Sequence, residues 1–175
     1  MYQIDKIDNK IVNLLMKDGR MSAAEIARQI GNISERAVRY RVDRMIADGL
    51  FKISAIINPK AVGYSVIADV FIEVESGLIF EVAEKLTGYD CVSYVACSIG
   101  ERDISVQVVA HSTDEVYAIV TEVIGKIPGV RKTTTSIVPR ILKDVYEWQI
   151  PRSNCLDPQV SSQSGKTRQL KHYSK

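Results

Sequence analysis

The sequence predicts an α+β protein with two domains, an N-terminal helix-turn-helix domain of the winged-helix-like type and a C-terminal ferredoxin-like βαββαβ domain. Amphipathic helical segments with start and stop signals fill residues 1–50. Strand-like and helix-like segments then alternate over residues 65–146. Residues 51–64 are predicted to form a linker strand and hinge, and residues 147–175 a largely disordered C-terminal extension.

Three helices are predicted in the first domain, because each has a capping residue at its start and a glycine at its end. The caps are Asp5, Ser22 and Ser34, the first helix runs to about Asp18, and the glycines are Gly19, Gly31 and Gly49. Ser22 and Glu25 also have the spacing of a capping box. Apolar residues at helical spacing predict one buried stripe per helix. The stripes are Ile7, Ile11, Leu14 and Leu15 in the first helix, Ile26 and Ile30 in the second, and Val38, Val42 and Met45 in the third.

The second half of the chain has a different periodicity. Residues 50–57 are rich in β-branched side chains and are predicted to form a strand that leads away from the helices. Further strands are predicted at 66–74, 92–98, 104–110 and 131–138, and helices at 78–86 and 113–124. This β-α-β-β-α-β order predicts one antiparallel sheet with both helices on one face.

The other face of that sheet is predicted to be mixed in character. In strand 66–74 one alternation is entirely apolar and should pack on the helices, namely Val66, Ala68, Val70, Ile72 and Val74. The opposite alternation combines Ile67 and Phe71 with Asp69 and Glu73, and strand 104–110 adds Ser105, Gln107 and Val109. Apolar side chains on such a face favour cover by a second sheet, most simply from an identical chain. The alternative is a solvated, slightly apolar sheet face.

Net charge is unevenly distributed along the chain. Residues 1–60 carry 11 basic and 7 acidic side chains, a net charge of +4, whereas residues 61–146 carry 7 and 12, a net charge of −5. Residues 147–175 carry 5 and 2, a net charge of +3. A basic first domain joined to an acidic second domain predicts that only the first seeks a polyanion.

Several classes of protein are excluded by composition and spacing. No run approaches the ~18 apolar residues of a membrane span, and the N-terminus lacks a signal-peptide pattern, so we expect a cytoplasmic protein with no membrane partner. The cysteines Cys91, Cys97 and Cys155 lack ligand spacing, so no metal site or disulfide framework is expected. Without paired carboxylates or a nucleophile–base pair, no enzyme activity and no cofactor are expected.

The third helix is the candidate DNA-reading element. It carries Arg36, Arg39, Arg41 and Arg44 within nine residues, and its apolar stripe leaves this charge facing outward. Ser34, Glu35, Arg36, Arg39 and Tyr40 lie near its N-terminus, the end that reaches base edges in helix-turn-helix proteins. Arg36 and Arg39 are the predicted base readers, since a guanidinium can pair bidentately with guanine. Tyr40 is assigned to a base or a phosphate, Ser34 to a phosphate, and Arg28, Arg41, Arg44 and Lys52 to the backbone. The alternative is that these arginines form surface ion pairs such as Glu35–Arg39.

Read together, residues 4–146 resemble the Lrp/AsnC ("feast/famine") transcription regulators. The similarity is carried by short motifs in a fixed order, among them Asp18-Gly19-Arg20-Met21-Ser22, Asp48-Gly49-Leu50, Asn58-Pro59, Gly100-Glu101-Arg102-Asp103 and Ile127-Pro128-Gly129. It does not cover the chain from about Trp148. The start of the third helix departs from the Ser-Pro-x-x of many members, because this chain has Ser34-Glu35-Arg36-Ala37.

The resemblance implies homodimers formed through the sheets and linker strands, which often join into octamers. It also implies that an amino-acid effector binds in clefts between C-terminal domains. The implied effector residues are Gly100, Glu101, Arg102 and Asp103 in a turn, and Thr133, Thr135 and Ser136 entering the last strand. The alternative for the turn is a plain hairpin that needs Gly and Asp for its geometry.

The function predicted from these observations is a metabolite-responsive, sequence-specific transcription regulator that binds double-stranded DNA in the nucleoid. The runner-up is an architectural nucleoid protein with little sequence preference. A third alternative is an enzyme of the tetrapyrrole decarboxylase type, which the scarcity of histidine (His111 and His172) disfavours. In the tail, predicted to be disordered over 157–175, Lys166, Arg168, Lys171 and Lys175 either add weak non-specific DNA affinity or are simply solvated.

Overall fold

The computed structural model describes residues 2–155, and the predicted disordered tail over 157–175 lies outside these residues. The described chain divides into two compact units. The first comprises residues 2–55 together with residues 144–155, and the second comprises Ile56–Lys143. The sequence places residues 144–146 in the sheet domain, whereas the structure groups them with the helices.

Three helices form the first unit, α1 (Lys6–Lys17), α2 (Ala23–Ile30) and α3 (Glu35–Ala47). The three predicted caps are confirmed. The side chains of Asp5, Ser22 and Ser34 each accept a hydrogen bond from a backbone amide of the first helical turn. Ser22 makes its half of the predicted capping box, but Glu25 pairs with Arg28 and Gln29 instead of reaching back to the cap.

The core of this unit is formed by Ile11, Ile26, Val38 and Met45, all of which are buried. The stripe predicted for α3 is therefore confirmed, with Val42 packed against the same core. The stripe predicted for α1 is displaced: the buried residues are Asp8, Asn9, Ile11 and Val12, while Ile7, Leu14 and Leu15 are only partly buried. The reason for this shift is that Asp8 turns inward to meet arginines of α3.

A four-stranded antiparallel sheet forms the second unit, with the predicted element order. The strands are β1 (Val66–Val74), β2 (Val92–Cys97), β3 (Ile104–Ala110) and β4 (Val130–Ile137), in the spatial order β2-β3-β1-β4. The helices are α4 (Ile79–Thr87) and α5 (Thr113–Ala118). The α-helix predicted over 113–124 ends early and continues as a π turn over Ile119–Val123 and a 3₁₀ turn over Ile124–Lys126. This segment is mostly β-branched, which lowers its preference for a regular helix.

The two faces of the sheet divide as the alternation predicts. Ala68, Val70, Ile72 and Val74 are buried in the core with side chains of β3, α4 and α5. The opposite alternation is half-buried in both β1 and β3. We call this second face the open face. It carries hydrogen-bonded polar pairs between apolar residues, with Gln107 Nε2 donating to Asp69 Oδ1 at 3.2 Å and Lys132 Nζ donating to Glu73 Oε1 at 3.0 Å.

The prediction of a strand over 50–57 is wrong for the single chain. Within residues 2–155, no segment pairs with residues 51–57, and they make no backbone-to-backbone hydrogen bond there. The side chains of Ile53, Ile56 and Ile57 are more than half exposed. A β-strand requires a neighbouring backbone, and residues 2–155 of one copy do not supply it.

The described part of the C-terminal extension, residues 147–155, is mostly exposed and contains local turns. It forms short 3₁₀ turns at Val145–Glu147 and Arg152–Asn154. Ile150 packs against the core of the first unit, whereas Trp148 is 62% exposed. An apolar contact explains why residues 147–155 fold here although their composition resembles a linker.

Candidate functional site

The exposed side of α3 brings together the residues predicted to read DNA. Ser34 caps the helix, and Arg36, Arg39 and Tyr40 are all exposed, with Tyr40 at 66%. Val38 and Met45 on the opposite side are buried and hold the helix in place. A helix fixed on one side and basic on the other can enter the major groove of duplex DNA.

The arginines on this surface differ in their partners. Arg39 pairs with Glu35 on α3, and Arg28 pairs with Glu25 on α2, so the ion pairs considered as an alternative do form. Both pairs are exposed, and exposed pairs contribute only ~0–1 kcal/mol, so they can be exchanged for phosphate or base contacts. For Arg36, no partner is present among the described residues. Lys52 is exposed beyond the end of α3.

Arg41, predicted to contact the DNA backbone, is engaged by two carboxylates within the helical unit. Its Nη1 donates to Asp5 Oδ2 and Asp8 Oδ1, both at 2.6 Å, and its side chain is only 25% exposed. Asp8 is fully buried in the first unit. A buried carboxylate needs a charged or hydrogen-bonding partner, so Arg41 is committed to holding α3 against α1.

Asp5, Asp8 and Arg41 form an ion-pair cluster, and Arg44 contacts the same cluster. Its Nη2 donates to the Tyr2 hydroxyl at 2.6 Å, its guanidinium lies 5.0 Å from the centre of the Tyr2 ring, and Asp8 Oδ2 is 3.8 Å away. Sequence reasoning missed Tyr2 and Asp8. The signal present was the Asp5-x-x-Asp8 spacing, which forms a capping box in the structure. A second signal was Asp8 itself, an acidic residue beside the apolar stripe of the first helix.

The electrostatics of this cluster favour the charged forms. Burial acts to raise the pKa of Asp5, but hydrogen bonds from the Asp8 amide and the Arg41 guanidinium outweigh it and lower that pKa below its ordinary value. Burial acts to lower the pKa of Arg41, but the hydrogen bonds to Asp5 and Asp8 outweigh it and raise that pKa. Asp5 and Arg41 are therefore both charged at neutral pH.

The turn over residues 98–103 is the first part of the predicted effector site. Asp103 Oδ2 accepts a hydrogen bond from the Val74 amide at 2.7 Å, and the Asp103 amide donates to the Ile72 carbonyl at 3.0 Å. Asp103 thus fastens the end of β1, which supports the hairpin alternative for this residue. Gly100 has a φ of 145°. Glu101 is exposed, and the Arg102 guanidinium lies 4.3 Å from the centre of the Phe71 ring.

The second part of the predicted effector site lies on β4. Thr133 is across β1 from the turn, because Ile72 pairs with both Thr133 and Ile104. Thr135 faces the same side as Thr133, and Ser136, opposite Asp69, lies on the open face. One chain therefore does not gather Gly100, Glu101 and Arg102 with these hydroxyls into a single cavity, since β1 lies between them.

Residues 2–155 contain neither a metal-binding cluster nor a membrane-spanning helix. No three His, Cys, Asp or Glu side chains in this range are placed to hold a metal ion. Over the same range, no helix has the length and apolar character needed to cross a bilayer.

The tri-helical unit with its basic α3, followed by a four-stranded βαββαβ unit, defines a class of protein, the two-domain helix-turn-helix transcription regulators. The family comparisons agree in both halves. The AsnC-type helix-turn-helix domain matches residues 4–46, and the Lrp/AsnC ligand binding domain matches residues 67–148. The chain belongs to the Lrp/AsnC family of transcription regulators, as its resemblance implied.

Relatives and solved structures support this assignment. An HTH-type transcriptional regulator of Pyrococcus abyssi is 39% identical over 145 residues, covering 82% of this chain and 91% of the relative. LrpA of Pyrococcus horikoshii is 37% identical over 141 residues, covering 80% and 99%. The structure of Escherichia coli AsnC matches with a TM-score of 0.75 at 28% identity, covering 83% of this chain and 99% of that one.

A transcriptional regulator of Neisseria meningitidis in complex with L-Met has the same fold, with a TM-score of 0.75 at 20% identity, covering 81% of this chain and 94% of that one. The predicted fold class is therefore confirmed. The protein is a transcription regulator with a DNA-binding domain and a small-molecule-binding domain. It is not an enzyme of the tetrapyrrole type, because its relatives are transcriptional regulators.

Proposed function

We propose that the protein binds operator DNA as a homodimer, with the exposed side of α3 in the major groove of each half-site. The observation that carries this proposal is the grouping of Ser34, Arg36, Arg39 and Tyr40 on one exposed helix surface, backed by buried Val38 and Met45. Arg36 and Arg39 read bases, Tyr40 contacts a base or a phosphate, and Ser34, Arg28 and Lys52 contact the backbone. The site of action is the nucleoid in the cytoplasm.

Replacing Arg39 with alanine is expected to weaken operator binding about tenfold to hundredfold, because a bidentate guanine contact is worth ~1–3 kcal/mol. Binding to a scrambled duplex should fall much less, since phosphate contacts are shared by all sequences. Fluorescence anisotropy with both duplexes measures the two losses. Arg20, an exposed arginine between α1 and α2, supplies the control variant Arg20→Ala, which should leave the ratio of the two affinities unchanged. Equal losses for Arg39→Ala on both duplexes would reduce Arg39 to a phosphate contact.

The open face supports the homodimer in this proposal. Ile67, Phe71 and Val109 are half-buried there; Ile67 pairs with Val109 across the two strands, and the Arg102 guanidinium lies over the Phe71 ring. A second copy of the same face would bury these side chains symmetrically. The exposed isoleucines of the linker would pair in the same dimer. Assembly of dimers into octamers is part of the proposal and is tested by light scattering.

An amino acid is the proposed effector, bound between C-terminal domains of neighbouring dimers. Residues 67–148 match a ligand-binding domain, and the Neisseria meningitidis regulator of the same fold binds L-Met. Gly100, Glu101, Arg102 and Asp103 would contribute from one chain, and Thr133, Thr135 and Ser136 from another. A site split in this way fits the position of β1 between the two sets in one chain.

Asp103 has two roles that substitution can separate. Asp103→Asn keeps an oxygen to accept the Val74 amide but loses the charge that would bind an α-amino group. It should therefore abolish the shift in melting temperature produced by an amino-acid effector while the unliganded protein binds operator normally. Asp103→Ala should lose the response and also destabilise the sheet by ~1 kcal/mol, because it removes the acceptor of the Val74 amide. A thermal-shift screen of the twenty amino acids measures both; an Asp103→Asn protein with an intact response would remove this residue from the site.

A further inference from the structure

The segment that precedes α1 is fixed against the helical unit. The Tyr2 side chain packs partly buried against the core of this unit, and the neighbouring Ile4 is buried. Asp5 then caps α1. The Tyr2 ring therefore has a defined position, and there it meets Arg44 of α3, which is 42 residues further along the chain.

The Tyr2 hydroxyl bridges Arg44 and the buried carboxylate of Asp8. Its oxygen accepts hydrogen bonds from Arg44 Nη2 at 2.6 Å and from Arg44 Nε at 3.2 Å, and the hydroxyl donates to Asp8 Oδ2 at 3.2 Å. Arg44 Nη2 and Asp8 Oδ2 themselves are 3.8 Å apart. The hydroxyl thus occupies the edge of the guanidinium that faces Asp8, and the carboxylate does not form a closer pair with Arg44.

The remaining amino group of the Arg44 guanidinium is available to a ligand. Within residues 2–155, the hydrogen bonds of Arg44 involve Nε and Nη2, and none involves Nη1. The Arg44 side chain is 42% exposed, compared with 25% for Arg41. A guanidinium is planar and presents its donors in a fixed fork, so holding one edge also fixes the direction of Nη1. A phosphate oxygen is a strong acceptor for a donor of this kind.

Arg44 extends the exposed row of α3 that is proposed to read DNA. Arg36, Tyr40 and Arg44 recur at intervals of four residues, so they lie along one side of the helix. All three are exposed. Arg44 is in the last turn of α3, far from the N-terminal end that reaches base edges. In homeodomains, which are helix-turn-helix variants, the C-terminal end of the recognition helix contacts the DNA backbone.

We propose that Tyr2 is a positioning residue for DNA binding, whose hydroxyl and ring orient the Arg44 guanidinium so that Nη1 donates to a phosphate of the duplex. The proposal rests on the proposed function of α3, which places DNA along this row. The ion-pair cluster together with Arg44 carries no net formal charge, with two arginines against two aspartates. Tyr2 therefore contributes orientation and not additional charge. Orientation strengthens binding because a long side chain that is already held does not have to be ordered at the interface.

A double-mutant cycle on the full chain tests this role, with binding measured by fluorescence anisotropy between 50 and 300 mM KCl. Tyr2→Phe keeps the ring and removes the hydroxyl, and it should weaken binding to a labelled duplex of mixed sequence about threefold to tenfold. Arg44→Ala should lower the slope of log K against log salt by ~0.9 per chain, which is the loss of one phosphate contact. In the Arg44→Ala protein, Tyr2→Phe should have no further effect on affinity, since the group that it orients is gone. Tyr117→Phe on α5, where the side chain is 72% exposed, is the matched control and should leave the affinity unchanged.

A purely structural role for Tyr2 predicts a different result. Tyr2→Phe would then weaken binding by the same factor with and without Arg44, and this additivity would overturn the proposal. An unchanged affinity in Tyr2→Phe, or an unchanged salt slope in Arg44→Ala, overturns it as well. Thermal melting followed by circular dichroism confirms that each variant is folded at the temperature of the binding measurement. Failure of the α3 proposal gives a separate result, because Arg39→Ala would then leave the ratio of operator to mixed-sequence affinity unchanged.

Discussion

Replacing Arg41 with alanine is expected to destabilise the helical unit by about 3 kcal/mol, because the fully buried Asp8 loses the guanidinium that donates a hydrogen bond to it and keeps only the more distant Arg44. A loss of this size lowers the melting temperature of a small domain by roughly 10–20 °C. Urea unfolding followed by circular dichroism and by the fluorescence of Trp148, the single tryptophan, which lies in this unit, measures it.

Arg39→Ala is the matched control for Arg41→Ala. Both are arginines of α3, but the Arg39–Glu35 pair is exposed, so its loss should cost no more than ~0.5 kcal/mol. The two variants should therefore show opposite behaviour, with Arg41→Ala losing stability and Arg39→Ala losing operator affinity. The double variant of Asp8→Ala and Arg41→Ala should lose less than the sum of its single changes, because neither charge is then left alone. Additive losses would show that the two side chains do not act as a pair.

The same cluster sets a pH dependence with a definite sign. The pKa of Asp5 is lower in the folded protein than its ordinary value. The stability it contributes is therefore present above the ordinary pKa of aspartate, ~3.9, and is lost as the pH falls through the lower folded value. Removing Arg41 removes one of the groups that lower this pKa, so stability should fall less steeply with acid in Arg41→Ala.

Changing Phe71 to aspartate is expected to convert the proposed homodimer into a monomer. Phe71 lies on the open face between Asp69 and Glu73, so a third carboxylate would be buried beside two others in the dimer. Loss of the central aromatic contact alone costs about 2 kcal/mol or more, at least a thirtyfold weaker dimer. Operator affinity should fall as the dimer is lost, because two DNA-binding units no longer bind two half-sites together.

Sedimentation equilibrium with and without operator DNA measures this change. The control is Phe80→Asp on α4, where the aromatic ring is already 81% exposed, and it should remain a dimer. Circular dichroism should show that both variants keep their secondary structure. A Phe71→Asp protein that still sediments as a dimer would move the interface away from the open face.

Most of the architecture could be predicted from the sequence, because local signals and the global fold agree in this chain. Caps at Asp5, Ser22 and Ser34 set the helix starts, and period-two alternation in β1 fixed which face meets the helices. Where the prediction was wrong, contacts between residues far apart in the sequence determined the structure. Asp8 pairs with Arg41, 33 residues away, and the local Asp5-x-x-Asp8 spacing indicates a helix cap but not this distant partner.

The same distinction between local signals and long-range contacts applies to the candidate sites. The exposed surface of α3 follows from its apolar stripe, so Arg36, Arg39 and Tyr40 could be placed from the sequence. The commitment of Arg41 to α1 and of Asp103 to the Val74 amide could not, since both depend on elements that meet only in the folded chain. The proposed effector site would depend on a second copy, which lies beyond what one sequence or one chain contains.

The linker over residues 51–57, which pairs with no other described segment, affects which chain this regulator selects as its dimerisation partner. Amide-to-carbonyl bonds between two such segments would form with any backbone of similar shape, because main-chain groups are alike in every protein. Cells that hold several regulators of one family would then risk mixed pairs. Discrimination must come from side chains, and Ile53, Ile56 and Ile57 are the large exposed apolar side chains of this segment. The isoleucines would thus make dimerisation selective: an identical chain would pair, and a related regulator whose linker has a different shape would not.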